Sequence, residues 1–128
     1  HHRIQKRRDK GGAEPGMNVE QLYEFLKKAQ EAKGYFFHKD KTRVFNLLQG
    51  LLDNRERYGY MCCPCRLAAD DREWDRDIIC PCVYREPDVA QYGSCYCGLY
   101  VSKEWNDETI PHSYVNERRP PEKVFAKF

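Results

Sequence analysis

The segment that organises this chain is residues 61–100, which read MCCPCRLAADDREWDRDIICPCVYREPDVAQYGSCYCGLY. Six of the seven cysteines stand there as three Cys-x-Cys pairs: Cys63-Pro64-Cys65, Cys80-Pro81-Cys82 and Cys95-Tyr96-Cys97. Zinc and iron-sulfur clusters typically take four protein ligands, so four of these thiols can fill a metal site. The two that remain are enough for one redox disulfide.

Proline stiffens the first two pairs. It removes a backbone donor, fixes φ, and pushes the residue before it towards extended geometry. A rigid turn suits one thiol that reaches a metal beside another that points outward. Structural zinc sites usually space paired ligands by two to four residues, a spacing that this chain offers only through Cys62 and Cys65. A zinc-stabilised interaction module fits less well and stays open as an alternative.

The first sixteen residues are typical of an expression-tag remnant or linker, with paired histidines and a Gly-rich stretch before Met17. Without them the net charge falls from +2 to −1, with 17 basic against 18 acidic residues. The near-neutral body has no basic footprint for nucleic acid, and no apolar run reaches the length of a membrane span. We therefore expect a cytoplasmic protein with a single domain over residues 17–128.

The distribution of cysteines disfavours a secreted, disulfide-stapled scaffold. Residues 17–61 have none, and the odd total leaves one thiol unpaired. In a reducing cytosol, clustered cysteines more often serve metal binding or catalysis. The extra thiol, Cys62, is expected to be a small buried apolar residue.

The cysteine-free half predicts two amphipathic helices. The first has Asn18 as its N-cap, Gln21 three residues later, and Gly34 placed to end it. The second begins near Asp40 and breaks at Tyr58-Gly59. Apolar residues at helical spacing are Val19, Leu22, Leu26 and Ala29 in the first helix, and Val44, Leu47, Leu48, Leu51 and Leu52 in the second.

Beyond Gly59 the segments are short and punctuated by proline and glycine. The pattern predicts a helical turn over residues 68–75, apolar packing by residues 99–101, and an irregular tail from Ile110 to Phe128. Such segments cannot carry a core alone, whereas metal binding contributes folding free energy. The predicted fold is mostly α, a small single domain of short helices and loops folded around a metal centre.

The three ordered pairs resemble the catalytic subunit of ferredoxin:thioredoxin reductase, whose pattern is Cys-Pro-Cys, Cys-Pro-Cys and Cys-His-Cys. The resemblance covers most of residues 17–105. Further matching positions are Gly50-Leu51, Arg57-Tyr58-Gly59, Arg66, Val83 and Arg85-Glu86. It implies that residues 17–128 form a catalytic domain of this type around a 4Fe-4S cluster.

The resemblance also implies a role for each paired cysteine. Four would hold the 4Fe-4S cluster: Cys63, Cys80, Cys82 and Cys95. Cys65 and Cys97 would form the active-site disulfide, with Cys65 attacking the substrate and Cys97 staying associated with the cluster. Electrons would pass from ferredoxin to thioredoxin or a thioredoxin-like protein. Whether a small variable subunit accompanies the chain stays open.

Tyr96 stands where the family has histidine, and it is the third candidate catalytic residue. Tyrosine titrates near pH 10, so a proton-donor role does not carry over directly. A hydrogen bond to a sulfur, or simple packing, remains. His38 and His112 are expected to be structural or surface residues.

The spacing of the pairs also departs from the family's usual pattern. The first interval between pairs is shorter and the second is longer. The longer loop, through Pro87 to Ser94, either tunes substrate docking or is a neutral insertion, because loops tolerate changes of length.

One more function class fits part of the pattern. A 4Fe-4S electron carrier needs the same cluster ligands but leaves Cys65 and Cys97 structural. The cysteine count supports either cluster protein, and a disulfide reductase is the favoured prediction because of the family resemblance.

Overall fold

A pair of helices, α1 (Val19–Glu31) and α2 (Lys41–Tyr58), carries the rest of the fold. The structure is a computed structural model that describes residues 16–125. The segment assigned to a tag remnant therefore lies outside the described residues, apart from Gly16.

The predicted start of α1 is confirmed. Asn18 and Gln21 form a capping box, in which the Asn18 side chain accepts from the Gln21 N–H at 2.8 Å and the Gln21 side chain accepts from the Asn18 N–H at 2.9 Å. The helix ends at Glu31, earlier than Gly34 suggested. Backbone bonds from Lys33 to Gln30 and from Gly34 to Glu31 tighten the last turn before the glycine is reached.

The predicted bounds of α2 are confirmed at both ends. The Asp40 side chain caps the start by accepting from the N–H groups of Thr42 and Arg43. Gly59 follows the last residue with φ +91°, in the left-handed region, and its N–H donates to the Arg55 carbonyl. Glycine suits this position because it carries no Cβ.

The two helices bury their apolar stripes against each other and against a two-stranded sheet. Fully buried side chains on the helices are Leu22, Val44, Leu48 and Leu51. Strand β1 (Phe36–Phe37) pairs antiparallel with β2 (Tyr100–Val101), with Phe37 opposite Tyr100. The sequence did not predict these strands, because two residues are too few to show alternation.

Four short helical elements complete the described chain: a 3-10 helix (Arg76–Ile78), α3 (Arg85–Tyr92), α4 (Lys103–Asn106) and α5 (Pro121–Phe125). The helical turn predicted over residues 68–75 is confined to its end, where Asp75 N–H donates to the Asp71 carbonyl at 2.8 Å. The tail is irregular only as far as residue 120, so the prediction of an irregular tail was wrong for α5.

The outcome is a small, helix-rich single domain, which confirms the predicted class. Within residues 16–125, none of the helices has the length and apolarity needed to cross a membrane.

Candidate functional site

Backbone hydrogen bonds hold the first two cysteine pairs side by side. Cys63 N–H donates to the Ile78 carbonyl and Cys80 N–H donates to the Met61 carbonyl, both at 2.8 Å. Glycine in α2 lets the first pair approach that helix, since a Cβ added at Gly50 would lie 2.9 Å from Pro64 Cβ. Two pairs that are distant in sequence thus become neighbours packed on α2.

The third pair lies in a turn between α3 and β2. Cys95 N–H donates to the Tyr100 carbonyl at 2.9 Å, and Gly98 N–H donates to the Cys95 carbonyl at 3.0 Å. Gly98 has φ +81°, which a residue with a side chain would rarely adopt. This turn directs both cysteines of the pair inward, and Cys95 and Cys97 are buried.

Five of the six paired cysteines line one cavity: Cys63, Cys80, Cys82, Cys95 and Cys97. Cys65, by contrast, is exposed. All seven cysteines are free thiols in this structure, and the Sγ atoms of Cys95 and Cys97 lie 3.9 Å apart. The four cysteines predicted as cluster ligands are thus together, with one predicted disulfide thiol inside and its partner outside.

The groups around this cavity suit an anionic, sulfur-rich cofactor. Arg66 Nη1 donates to Cys82 Sγ at 3.5 Å, and Tyr100 N–H donates to Cys95 Sγ at 3.3 Å. The guanidinium groups of Arg66 and Arg85 both line the cavity and offset the charge of thiolate ligands. The buried Tyr100 hydroxyl has no hydrogen-bond partner within residues 16–125, and Tyr100 lines the same cavity. These residues fit a 4Fe-4S cluster.

A single metal ion fits less well. In residues 16–125, no three side chains of His, Cys, Asp or Glu are placed to hold one ion. A structural zinc ion needs four ligands that converge on one point, whereas a cluster distributes its cysteine ligands over several iron atoms. The zinc alternative therefore has no preformed site in this part of the chain.

The two predicted disulfide thiols differ in acidity. Hydrogen bonds from Cys63 and Cys97 lower the pKa of Cys65, and the Arg43 guanidinium lowers it further. Hydrogen bonds with Cys63, Cys65 and Cys95 instead raise the pKa of Cys97. Arg43 also donates to the Cys97 carbonyl at 2.8 Å. The exposed thiol of the two is therefore the more acidic one.

Two grooves meet at Cys65. The histidine groove is lined by His38, Arg43, Cys65, Tyr96, Trp105 and Tyr114, among others. The C-terminal groove is lined by Cys65, Leu67, Tyr96, Glu117, Val124 and Phe125, among others. Three exposed apolar side chains, Leu67, Tyr114 and Phe125, thus flank the exposed thiol.

Arg66 links the cysteines to the C-terminal segment. Its side chain is only 3% exposed and makes two hydrogen bonds to the Glu117 carboxylate, at 2.8 and 2.6 Å. The guanidinium also lies over the Tyr96 ring, 4.4 Å from its centroid, and 5.3 Å from that of Tyr84. One buried cation therefore contacts a cysteine sulfur, the ring of Tyr96 and the tail.

A second buried arginine fixes the same segment further along. Arg119 donates to the carboxylates of Asp75 at 3.2 Å and Asp77 at 2.9 Å, and its side chain is 2% exposed. Tyr60 supports Asp75 from the other side by donating its hydroxyl at 2.6 Å. The segment predicted to be an irregular tail is therefore tied down, and it walls both grooves.

The remaining predicted residues lie as follows. Tyr96 is half-buried at the junction of the cavity and both grooves. Burial raises the pKa of Tyr96, so its hydroxyl stays protonated at neutral pH. His112 stacks on Trp105 at 3.6 Å, as expected of a structural residue, whereas His38 packs edge-on against the same ring and also lines the groove with Cys65.

Sequence reasoning missed three groups at the site: Arg43, the Tyr100 hydroxyl and Glu117. Arg43 and Glu117 come from segments outside the cysteine-rich stretch, and Glu117 is 51 residues from Arg66. Tyr100 was expected only to pack behind the cysteines. No spacing rule within the motif could have found them, because tertiary packing alone brings them in.

Five cysteines that line one cavity, with an exposed thiol beside them, form the arrangement that a thiol-based redox protein needs. The family follows from comparison with known proteins. The family model described as ferredoxin thioredoxin reductase catalytic beta chain matches residues 13–119, and the chain belongs to this family. The predicted family, and with it the prediction of an oxidoreductase, is confirmed.

Curated relatives agree at modest identity. The chain is 26% identical over 113 residues to the ferredoxin-thioredoxin reductase catalytic chain of Porphyra purpurea, covering 84% of this chain and 88% of the relative. It is 26% identical over 110 residues to the chloroplastic catalytic chain of Arabidopsis thaliana, covering 78% and 70%. The chloroplastic chain of Zea mays is 27% identical over 110 residues, covering 78% and 67%.

Proposed function

We propose that this protein is an iron-sulfur disulfide reductase that takes electrons from ferredoxin and reduces the disulfide of thioredoxin or a thioredoxin-like protein. The observation that carries the proposal is the division of the paired cysteines. Five are buried or half-buried and line one cavity, and one, Cys65, is exposed beside them. A pure electron carrier has no need of an exposed thiol next to its centre.

Four cysteines would hold the cofactor: Cys63, Cys80, Cys82 and Cys95. When bound, a 4Fe-4S cluster supplies one-electron chemistry beside a disulfide whose reduction takes two electrons. The chain contributes two cations to that site, Arg66 and Arg85.

Cys65 and Cys97 carry out thiol-disulfide exchange. In the reduced enzyme, the Cys65 thiolate attacks one sulfur of the substrate disulfide, which breaks the S–S bond and releases the other substrate sulfur as a thiolate. Cys97 then passes its proton to the released substrate thiolate and attacks Cys65 Sγ in the mixed disulfide. The second substrate sulfur leaves, and the Cys65–Cys97 disulfide closes. Two electrons, delivered singly by ferredoxin, and two protons restore the dithiol.

The order of attack follows from access. Cys65 is exposed and can meet a protein substrate, whereas Cys97 is buried and can reach only a sulfur that is already attached to Cys65. Tyr96 lines the cavity and both grooves, so we assign it to packing and hydrogen bonding around the pair. Arg43 holds the Cys97 backbone by donating to its carbonyl.

The substrate protein would dock over the two grooves. Leu67, Tyr114 and Phe125 give the apolar contacts that a transient protein interface needs around the reactive sulfur. The proposed site of action is the cytoplasm. Purification from the native source would show whether a small variable subunit accompanies the chain.

The test begins with iron and acid-labile sulfide on anaerobically purified protein, where we expect about four of each per chain. Cys65→Ser should keep that content and lose thioredoxin reduction, whereas Cys80→Ser should lose the iron. Cys62→Ser is the matched control and should keep both. Zinc without sulfide, or a Cys65→Ser variant that still reduces thioredoxin, would overturn the proposal.

A further inference from the structure

The Tyr100 hydroxyl is a buried hydrogen-bond donor without a partner. The residue is 1% exposed, and the hydroxyl contacts no acceptor in the described chain. Buried polar groups in native proteins are nearly always paired, so each exception calls for a missing partner.

The ring of Tyr100 is fixed on several sides. Its backbone pairs with Phe37 in the sheet, and the two rings stack at 5.5 Å with 19° between their planes. The Arg85 guanidinium lies 4.9 Å from the ring centroid and is held in turn by Gln30 Oε1 at 2.6 Å. The hydroxyl therefore cannot swing out to solvent without breaking the sheet contact.

The space around the hydroxyl belongs to the cysteine cavity. Tyr100 lines that cavity with the predicted cluster ligands. The Tyr100 backbone N–H donates to Cys95 Sγ at 3.3 Å, so the residue lies directly against one of the predicted ligands.

We propose that the Tyr100 hydroxyl donates a hydrogen bond to an inorganic sulfide of the bound iron-sulfur centre, and thereby makes its reduction potential more positive. The inference rests on the proposed function, because it requires the cluster. Reduction adds negative charge to the sulfur acceptors, so a donor stabilises the reduced state more than the oxidised state. Tyr100 is thus a positioning residue that tunes the centre and takes no part in bond exchange.

The test uses Tyr100→Phe in the cluster-loaded protein, because this change removes one oxygen and keeps the ring. The midpoint potential, measured by redox titration with spectroscopic detection, should become more negative. A tenfold fall in the equilibrium constant for reduction corresponds to about 59 mV for one electron. Fluorotyrosine placed at residue 100 strengthens the donor, and should shift the potential in the opposite direction.

Tyr60→Phe is the matched control. Tyr60 is equally buried, but its hydroxyl already donates to Asp75 Oδ2 at 2.6 Å. Tyr60→Phe should lower the unfolding midpoint and leave the reduction potential unchanged. Tyr100→Phe should shift the reduction potential and leave the unfolding midpoint unchanged.

Two results would overturn the inference, and they are distinguishable. Wild-type protein with a normal cluster, and a potential that neither variant at residue 100 moves, would refute the role of Tyr100 alone. Wild-type protein without iron and sulfide would refute both this inference and the proposed function. If Tyr100→Phe fails to load its cluster, the fluorotyrosine protein, which keeps the hydroxyl, decides the question. A more positive midpoint potential supports the inference, and an unchanged or more negative one refutes it.

Discussion

Replacing Glu117 by glutamine should loosen the C-terminal segment from the cysteine site. The Glu117 carboxylate accepts two hydrogen bonds from Arg66, whose side chain is 3% exposed, while the Glu117 side chain is 28% exposed. Glutamine keeps one acceptor oxygen and removes the charge. The Arg66 cation would then stay buried with half of its pairing lost.

The magnitude follows from this burial. Removing one partner of a fully buried ion pair costs about 3–5 kcal/mol, because the other charge is left uncompensated. Glu117 is partly exposed, so water and the remaining amide oxygen reduce that cost. We expect a loss of about 2 kcal/mol in the free energy of unfolding, in the range found for hydrogen bonds to charged groups. For a chain of this size that is a fall of about 8 °C in Tm.

The assay is urea unfolding of the cluster-loaded protein under anaerobic conditions, with Glu122→Gln as the control. Glu122 is an exposed glutamate in the same tail, and its change should stay within about 0.5 kcal/mol. In the double variant with Arg66→Met, the effect of Glu117→Gln should largely vanish, since no buried cation remains. A Glu117→Gln protein that is as stable as the control would show that the pair does not anchor the segment.

Three further changes test the packing around the site. Gly50→Ala should destabilise by about 1 kcal/mol in urea unfolding despite alanine's better helix propensity, because the new Cβ meets Pro64 Cβ at 2.9 Å; a gain in stability would contradict the close approach. Cys62→Ala should keep full iron content and activity and cost about 1 kcal/mol, since Cys62 is fully buried and burial raises its pKa to about 12; loss of iron would make it a ligand. Asp77→Asn should cost about 2 kcal/mol at pH 7. Burial alone would raise the pKa of Asp77, but hydrogen bonding to Arg119 outweighs it and lowers that pKa. The stabilisation from the Asp77 carboxylate is therefore present above the unfolded pKa of about 3.9 and is lost as pH falls through the lower folded pKa. The unfolding free energies of wild type and Asp77→Asn should therefore converge below about pH 4, and a constant difference would refute the linkage.

The long helices could be predicted from the sequence because their signals are local. Asn18 with Gln21, and Asp40 with Gly59, sit at the ends of apolar stripes long enough to show helical period. The shorter elements could not, since α5 has five residues and each strand has two. Elements of that length form because the tertiary fold supports them.

The candidate site divides in the same way. Motif spacing identified the six paired cysteines, and the structure brings five of them to one cavity. The groups that complete the surroundings come from elsewhere: Arg43 from the first turn of α2, and Glu117 from the tail. Their contribution depends on contacts between distant segments, which no local pattern encodes.

The C-terminal segment is part of the site because its charged side chains pair with charged side chains of the body beside the cysteines. The side chains of Arg66 and Arg119 are almost fully buried, a buried charge is costly unless it is paired, and here carboxylates pair with both. Glu117 meets the first from the tail, while Arg119 projects from the tail to meet carboxylates in the body. The two pairs run in opposite directions across one interface, so the body and the tail each depend on the other for pairing. This reciprocity holds the tail beside Cys65, where it walls the surface that a substrate disulfide would approach.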